Sequence, residues 1–162
     1  MQRITLLCIG HPKARWIEAG CEEYLRRFGR DIDVQVVEIA DSRERDPQRQ
    51  VADESVRLLI AADRFPGQRW ILDERGLRVT SPAFAELIGK ARDRGDKLTF
   101  LLGGAYGVND AVRQSGQLLR LSDMTFPHEL CRLVFLEQLY RAGEIAKGSG
   151  YHHEGFGSRV RG

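Results

Sequence analysis

Short apolar runs alternate with stretches of helical period along the whole chain, and this alternation narrows its fold more than any other feature. Ile4 to Ile9 is a near-continuous apolar run closed by Gly10, the pattern of a strand buried on both faces. Trp16, Ile17, Gly20, Cys21, Tyr24, Leu25 and Phe28 then recur at helical spacing, so residues 14–28 are expected to form an amphipathic helix stopping near Gly29. Val34, Val36, Val37 and Ile39 mark a second strand over 33–39. A helical pattern resumes through Val51, Ser55, Val56, Leu59 and Ile60. Trp70 to Leu72 starts a third strand, with residues 73–76 expected as the loop after it. Ser81 is the expected N-cap of the next helix and Pro82 its first residue, with Phe84, Leu87, Ile88 and Ala91 turned inward and Gly95 closing it. The run 97–102 predicts a fourth strand, 110–113 a short helix and 118–121 a fifth strand. A long helix over 129–146 is expected to bury Leu130, Leu133, Val134, Leu136, Leu139 and Tyr140. Strands alternating with helices predict an α/β fold, a mostly parallel sheet flanked by helices, in one domain over 1–162 whose last residues, 154–162, read as a flexible extension.

Composition excludes several classes. Hydrophobic residues make up 42% and charged residues 30% of the 162, enough to build one core. Lysine and arginine number 25 against 23 acidic residues, a net charge of +2, which excludes a histone-like polycation. RNA contact would need a local patch, for which Lys13, Arg15, Arg26, Arg27 and Arg30 are candidates. The charged stretch 40–50 reads as a solvated loop running into a helix, or alternatively as an arm over RNA or a site. Cys8, Cys21 and Cys131 are too scattered for a zinc quartet, and their odd number without a secretory leader points to the reducing cytoplasm. No apolar run approaches the roughly 20 residues of a membrane span. The four histidines form no metal motif, there is no serine elbow, and no metal is expected.

In an open α/β sheet, ligands sit beyond the carboxyl ends of the strands. Three segments fall there: 72–76, the glycine segment 103–107 and the segment 122–128. The glycines match neither dinucleotide nor P-loop spacing, yet they bring backbone close to a bound nucleoside or methionine moiety, or simply make a tight turn. Glu137 and Arg141 are four apart on the last helix and either support it or orient Arg141 or Arg132 at a subunit interface. Tyr151, His152 and His153 offer rings that stack on or hydrogen-bond to a base, or are an uninformative terminus.

Taken together, the runs FLLGGAYG (100–107), SDMTFPHELCR (122–132) and EQLYRA (137–142), with the pair Tyr151–His152, resemble the RlmH family of bacterial 23S ribosomal RNA methyltransferases. The opening run 4–10 and the segment 23–28 fit as well, so the resemblance covers nearly the whole chain. It implies a SPOUT fold with a C-terminal trefoil knot, an exception to the usual unthreaded connections. It also implies a homodimer that uses S-adenosyl-L-methionine to methylate N3 of a pseudouridine in 23S rRNA of the ribosome. By the same resemblance, Leu72, Asp73, Gly103, Gly104, Ser122, Asp123, Met124, Thr125, Phe126 and Pro127 hold the cofactor. Tyr151 positions or stacks the target base, the candidate proton acceptors are His152, an ordered water or the base's own ionised form, and Arg141 contacts phosphate or compensates negative charge. The chain departs from the family where His153 stands in place of a frequent basic residue and where EGFGSRVRG continues beyond it, with Arg159 and Arg161 as extra phosphate contacts. A SPOUT enzyme acting on tRNA or another rRNA site, and a noncatalytic RNA-binding assembly protein, are the alternative readings.

Overall fold

The computed structural model describes residues 1–153. Its elements run β1 (Gln2–Ile9), α1 (Arg15–Arg27), β2 (Ile32–Ile39), α2 (Pro47–Ala62), β3 (Gln68–Arg78), α3 (Ser81–Arg94), β4 (Leu98–Leu102), α4 (Asp110–Gln114), β5 (Gln117–Arg120) and α5 (His128–Lys147). The five strands form one sheet in the order β2-β1-β4-β3-β5, every neighbouring pair parallel.

Strand periodicity splits the core in two. Ile4, Leu6 and Cys8 of β1 enter a cluster beneath α1, α3 and α5, while Leu7 and Ile9 enter one beneath α2 and α4. Phe100 and Phe135 anchor the larger cluster with ring centroids 4.7 Å apart. The helix that follows β3 thus lies on one face and the helix that follows β4 on the other. Adjacent strands whose connections diverge in this way open a crevice at their carboxyl ends.

Local chemistry places the element ends. Asp46 caps α2 by accepting from the Arg49 N–H, and Pro47 occupies its first turn. The stretch before it is tied down, since Arg57 donates to the carbonyls of Ala40 and Asp41, and Glu54 accepts from the Ser42 N–H. Residues 40–46 are therefore an anchored loop running into a helix. Thr80, not Ser81, caps α3, accepting from the Ala83 N–H, and Pro82 follows Ser81 in the first turn. Ser81 instead donates its hydroxyl to Gln138 on α5, at 2.7 Å.

Four other expectations are corrected. Trp16 shares the helical period of α1 but is 63% exposed, since Ile17 and Cys21 carry the buried face. Residues 73–76 are not a free loop but part of β3. Leu72 and Leu77 both register with Leu119, so the residues between them swell out of the ladder as a bulge. Gly76 is required there, because a Cβ would stand 2.5 Å from the Leu119 backbone. On α5 the fully buried positions are Arg132, Phe135, Leu136, Leu139 and Ala142, whereas Leu130, Leu133, Val134 and Tyr140 are half-buried. Finally, Lys13 and Arg15 precede and open α1 while Arg26, Arg27 and Arg30 lie at its far end, about 20 Å away by helical rise. Arg26 and Arg27 also pair with Glu23, so the five cations form no single patch.

Among the described residues no helix is long and apolar enough to cross a membrane. The proposed extension 154–162, with Arg159 and Arg161, lies outside the described residues.

Candidate active site

The carboxyl ends of β3, β4 and β5 open onto a cavity of about 720 Å³. Its walls are the β3 bulge at 72–75, the glycine turn at 103–107, the loop 121–126, and His128 and Cys131 from the start of α5. The three segments singled out in the sequence therefore meet around one space.

The glycine turn is fixed by backbone sterics. A Cβ on Gly103 would lie 2.8 Å from the Gly107 carbonyl oxygen, and Gly107 itself has φ +79° while its N–H closes the turn onto the Gly104 carbonyl. Gly104 has a different reason. A Cβ there would meet Glu54 Oε1 at 2.5 Å and Ile9 at 3.3 Å, so α2 and β1 alone already require a glycine. Glu54 is buried and also holds the Ser42 N–H, while its neighbour Ser55 accepts from the Asn109 N–H. Two successive residues of α2 thus brace the loop after β2 and the segment that follows the glycine turn.

Two carboxylates at the wall, Asp73 and Asp123, are paired with arginines. Asp73 accepts from Arg113 Nε at 2.9 Å and from the Arg75 N–H at 2.8 Å, and Arg113 also binds Asp110. Asp123 accepts from Arg120 at 2.9 Å and pairs with Arg78 at 3.0 Å. The hydrogen bond from Arg120 leads in holding the Asp123 carboxyl below its ordinary range. Ser122 Oγ accepts from the Met124 N–H, leaving the Met124 side chain open to solvent. Leu72, Thr125 and Phe126 line the cavity. Pro127 does not: it is the N-cap residue of α5, and its carbonyl accepts from the Cys131 N–H. Burial raises the pKa of the Cys131 thiol, which stays protonated and donates to the Phe126 carbonyl.

Arg141, Tyr151 and His152 are not brought to this cavity. α5 starts at its wall and runs 20 residues, about 30 Å, before the tail begins. The tail folds back beside Arg141, which lies thirteen residues, about 20 Å, along the helix from His128: Arg141 donates to Glu137 at 2.7 Å, approaches His152 Nδ1 at 3.1 Å, and lies 4.9 Å from the centroid of the Tyr151 ring. Arg132 takes part in neither site. It is buried and donates to Glu38 and to the Gly10 carbonyl.

Sequence reasoning passed over Arg113, Arg120, Cys131 and Glu54 as site residues. Arg113 follows Asp110 by three on a short helix, a pairing signal too common to single out. A lone glutamate in α2 carries no signal, because its importance comes from the glycine it faces across the fold. Among the described residues no cluster of histidine, cysteine, aspartate or glutamate could hold a metal ion.

The profile of the family described as "Predicted SPOUT methyltransferase" matches residues 2–152. The "Ribosomal RNA large subunit methyltransferase H" of Pelobacter propionicus is 38% identical over 153 residues, covering 93% of this chain and 99% of that protein. The protein of the same name from Geobacter sp. strain M21 is 38% identical over 154 residues, covering 94% of this chain and 99% of its own. Among solved structures, TrmJ from Z. mobilis ZM4 superimposes with a TM-score of 0.44 at 9% identity, over 99% of this chain and 75% of that one, a likeness too loose to add to the topology.

Proposed function

This chain belongs to the SPOUT methyltransferase family, and from that premise we propose that it is a cytoplasmic, homodimeric enzyme that methylates N3 of a pseudouridine in 23S rRNA of the assembled ribosome, with S-adenosylmethionine as donor. The reading is carried by the meeting of three strand-end segments around one cavity in a chain whose near-full-length relatives bear an rRNA methyltransferase name.

The cavity residues suit such a donor. Its volume falls within the range of small-molecule sites, roughly 300–1,000 Å³. Leu72, Leu102, Leu121 and Phe126 offer apolar wall beside the backbone groups of the glycine turn, the combination that grips a nucleoside. Asp73 and Asp123 enter the site already neutralised by arginines, so neither is a free general base. When bound, S-adenosylmethionine supplies a methyl group activated by its sulfonium. The protein's work is then to place the target nitrogen in line with that carbon.

The tail supplies groups for the base. Tyr151 presents a ring for stacking. Arginine only donates, so the approach of Arg141 to His152 Nδ1 makes that nitrogen an acceptor and leaves the proton of the neutral imidazole on Nε2. Held this way, His152 offers a hydrogen-bond donor to a base carbonyl rather than a proton acceptor. The N3 proton then leaves to water. Because Tyr151 and His152 fold back beside Tyr140 and Arg141, about 18–20 Å along α5 from the cavity wall, the reading requires that the tail serve the cavity of the partner subunit. The C-terminal trefoil knot belongs to the same reading and is supported by family membership.

Intact ribosomes from cells lacking the modification provide the test. Incubation with the protein and S-adenosylmethionine, followed by digestion and mass analysis, is expected to show one new methyl group on a pseudouridine of 23S rRNA. Methylation confined to tRNA or to another rRNA site would replace the reading with the related SPOUT enzyme. No transfer to any RNA would leave a binding protein.

A further inference from the structure

We infer that Tyr24 and Arg27 of α1, together with Tyr140 of α5, are positioning residues that hold the Tyr151–His152 tail in its working orientation through a clamp built across the two helices. The inference rests on the reading of the tail as part of the methyl-transfer site.

The clamp is a stack of three tyrosines closed at each side by a guanidinium. Tyr140 lies 6.0 Å from Tyr24 and 4.9 Å from Tyr151, the latter ring set edge-on at 82°. Arg27 lies over Tyr24 at 5.0 Å and over Tyr140 at 5.7 Å, while Arg141 lies over Tyr151 at 4.9 Å. Each guanidinium is itself steered by a carboxylate one helical turn earlier: Glu23 accepts from Arg27 Nε at 3.0 Å, and Glu137 accepts from Arg141 Nε at 2.7 Å. Two separate helices therefore carry the same i, i+4 pair and turn both toward one group of rings.

The tail has little else to fix it. Gly148 and Gly150 both adopt positive φ, +64° and +84°, between the helix and Tyr151, and such backbone bends freely unless contacts select one path. Among the described residues the only side-chain bond within this turn is a long one, 3.4 Å, from the Tyr151 N–H to Ser149 Oγ. The direction of Tyr151, and of His152 behind it, is thus set from α1 and α5. Burial, followed by the neighbouring Tyr24 phenol, pushes the Tyr151 pKa up to about 12, so the ring stays neutral and suited to stacking at physiological pH.

The experiment compares Tyr24→Ala and Arg27→Ala with Tyr24→Phe, which keeps the ring. Three quantities are read on each folded preparation: the rate of methyl transfer to intact ribosomes, the affinity for S-adenosylmethionine, and chymotryptic cleavage after Tyr151 followed by mass spectrometry. Both alanine variants are expected to lower kcat about tenfold, the scale of losing one aromatic or cation–π contact. Cofactor affinity is expected to stay unchanged, cleavage after Tyr151 to accelerate, and Tyr24→Phe, which keeps the ring and loses only the phenol beside Tyr151, to stay closer to the wild type than Tyr24→Ala. Arg27 is surface-exposed, so its alanine variant keeps the test usable if Tyr24→Ala fails to fold. Cleavage that stays at the wild-type rate in Arg27→Ala, or accelerated cleavage with undiminished kcat, would overturn the inference. A wild-type protein that methylates no ribosome would defeat the functional reading instead, while the cleavage arm still decides whether the clamp holds the tail.

Discussion

Arg132 of α5 donates a 2.6 Å hydrogen bond to Glu38 near the end of β2, joining two elements 94 residues apart in the chain. The same guanidinium reaches the Gly10 carbonyl at 2.8 Å, so one buried side chain fastens the start of α5 to the carboxyl edge of the sheet. Replacing Arg132 with leucine strands that carbonyl and leaves Glu38 with His11 alone. The expected cost is about 2–3 kcal/mol, below that of a fully buried pair because Glu38 is partly solvated. For a domain of this size, that lowers Tm by about 5–10 °C, readable in a thermal melt.

The far side of this pair makes a pH prediction. His11 Nδ1 lies 2.8 Å from Glu38 and Nε2 lies 3.2 Å from Glu18. Its pKa is raised, first by the hydrogen bond to Glu38. A histidine whose folded pKa exceeds its unfolded value contributes stability that is complete below the unfolded value and fades as pH rises through the folded one. An NMR titration of the His11 ring is therefore expected to give a midpoint above the ordinary 6.5 or so. Glu38→Gln is expected to bring it back down. A midpoint that ignores Glu38→Gln would show that the pair does not form in solution.

The glycine turn separates two kinds of steric demand. A methyl group on Gly103 meets backbone, which cannot yield, whereas one on Gly104 meets the end of the Glu54 side chain, which can be removed. Both Gly103→Ala and Gly104→Ala are expected to weaken S-adenosylmethionine binding about tenfold or more, the scale of overpacking. Adding Glu54→Ala is expected to restore binding in Gly104→Ala and not in Gly103→Ala. Calorimetry on the two double variants checks this, and equal rescue of both would refute the distinction.

The fold was largely legible because its signals are local. Apolar runs and helical spacing mark all ten elements, and Gly95 marks a helix end by backbone chemistry alone, whereas the Asp46 cap went unread and α2 starts at Pro47, inside the charged stretch 40–50. The three segments at the cavity were legible because the carboxyl edge of a parallel sheet gathers ligands whatever their identity. What stayed hidden depends on partners distant in sequence. Gly104 answers to Glu54, fifty residues earlier, and Asp73 to Arg113, forty residues later. The bulge at 73–76 looked like a loop because strand pairing on its far side with Leu119 leaves no periodic trace in so short a stretch. The tyrosine clamp was invisible for the same reason: Tyr24 and Tyr140 read as ordinary core positions until α1 and α5 are laid side by side.

His128 lines the cavity, and Tyr151 packs on Tyr140, twelve residues and about 18 Å further along α5, so one protomer cannot present both to the same substrate without abandoning the clamp. Single substitutions test the parts. Tyr151→Ala and His152→Ala are each expected to leave the dimer and S-adenosylmethionine affinity intact while slowing ribosomal methyl transfer by about two orders of magnitude, the scale on which misplacement of a reacting group acts. Truncation after His153 is expected to be milder. A mixed dimer then decides the geometry. One protomer carries Gly103→Val, which disables its cavity, and the other carries Tyr151→Ala, which disables its tail. If each site joins a cavity to the partner's tail, the mixed dimer holds one site with both lesions and one with neither, and it regains about half the wild-type activity. If each protomer uses its own tail, both sites are damaged and the mixture stays as inactive as its parents. Differentially tagged subunits, co-expressed and purified through both tags, make the comparison direct, and an inactive mixed dimer would sink the cross-subunit site.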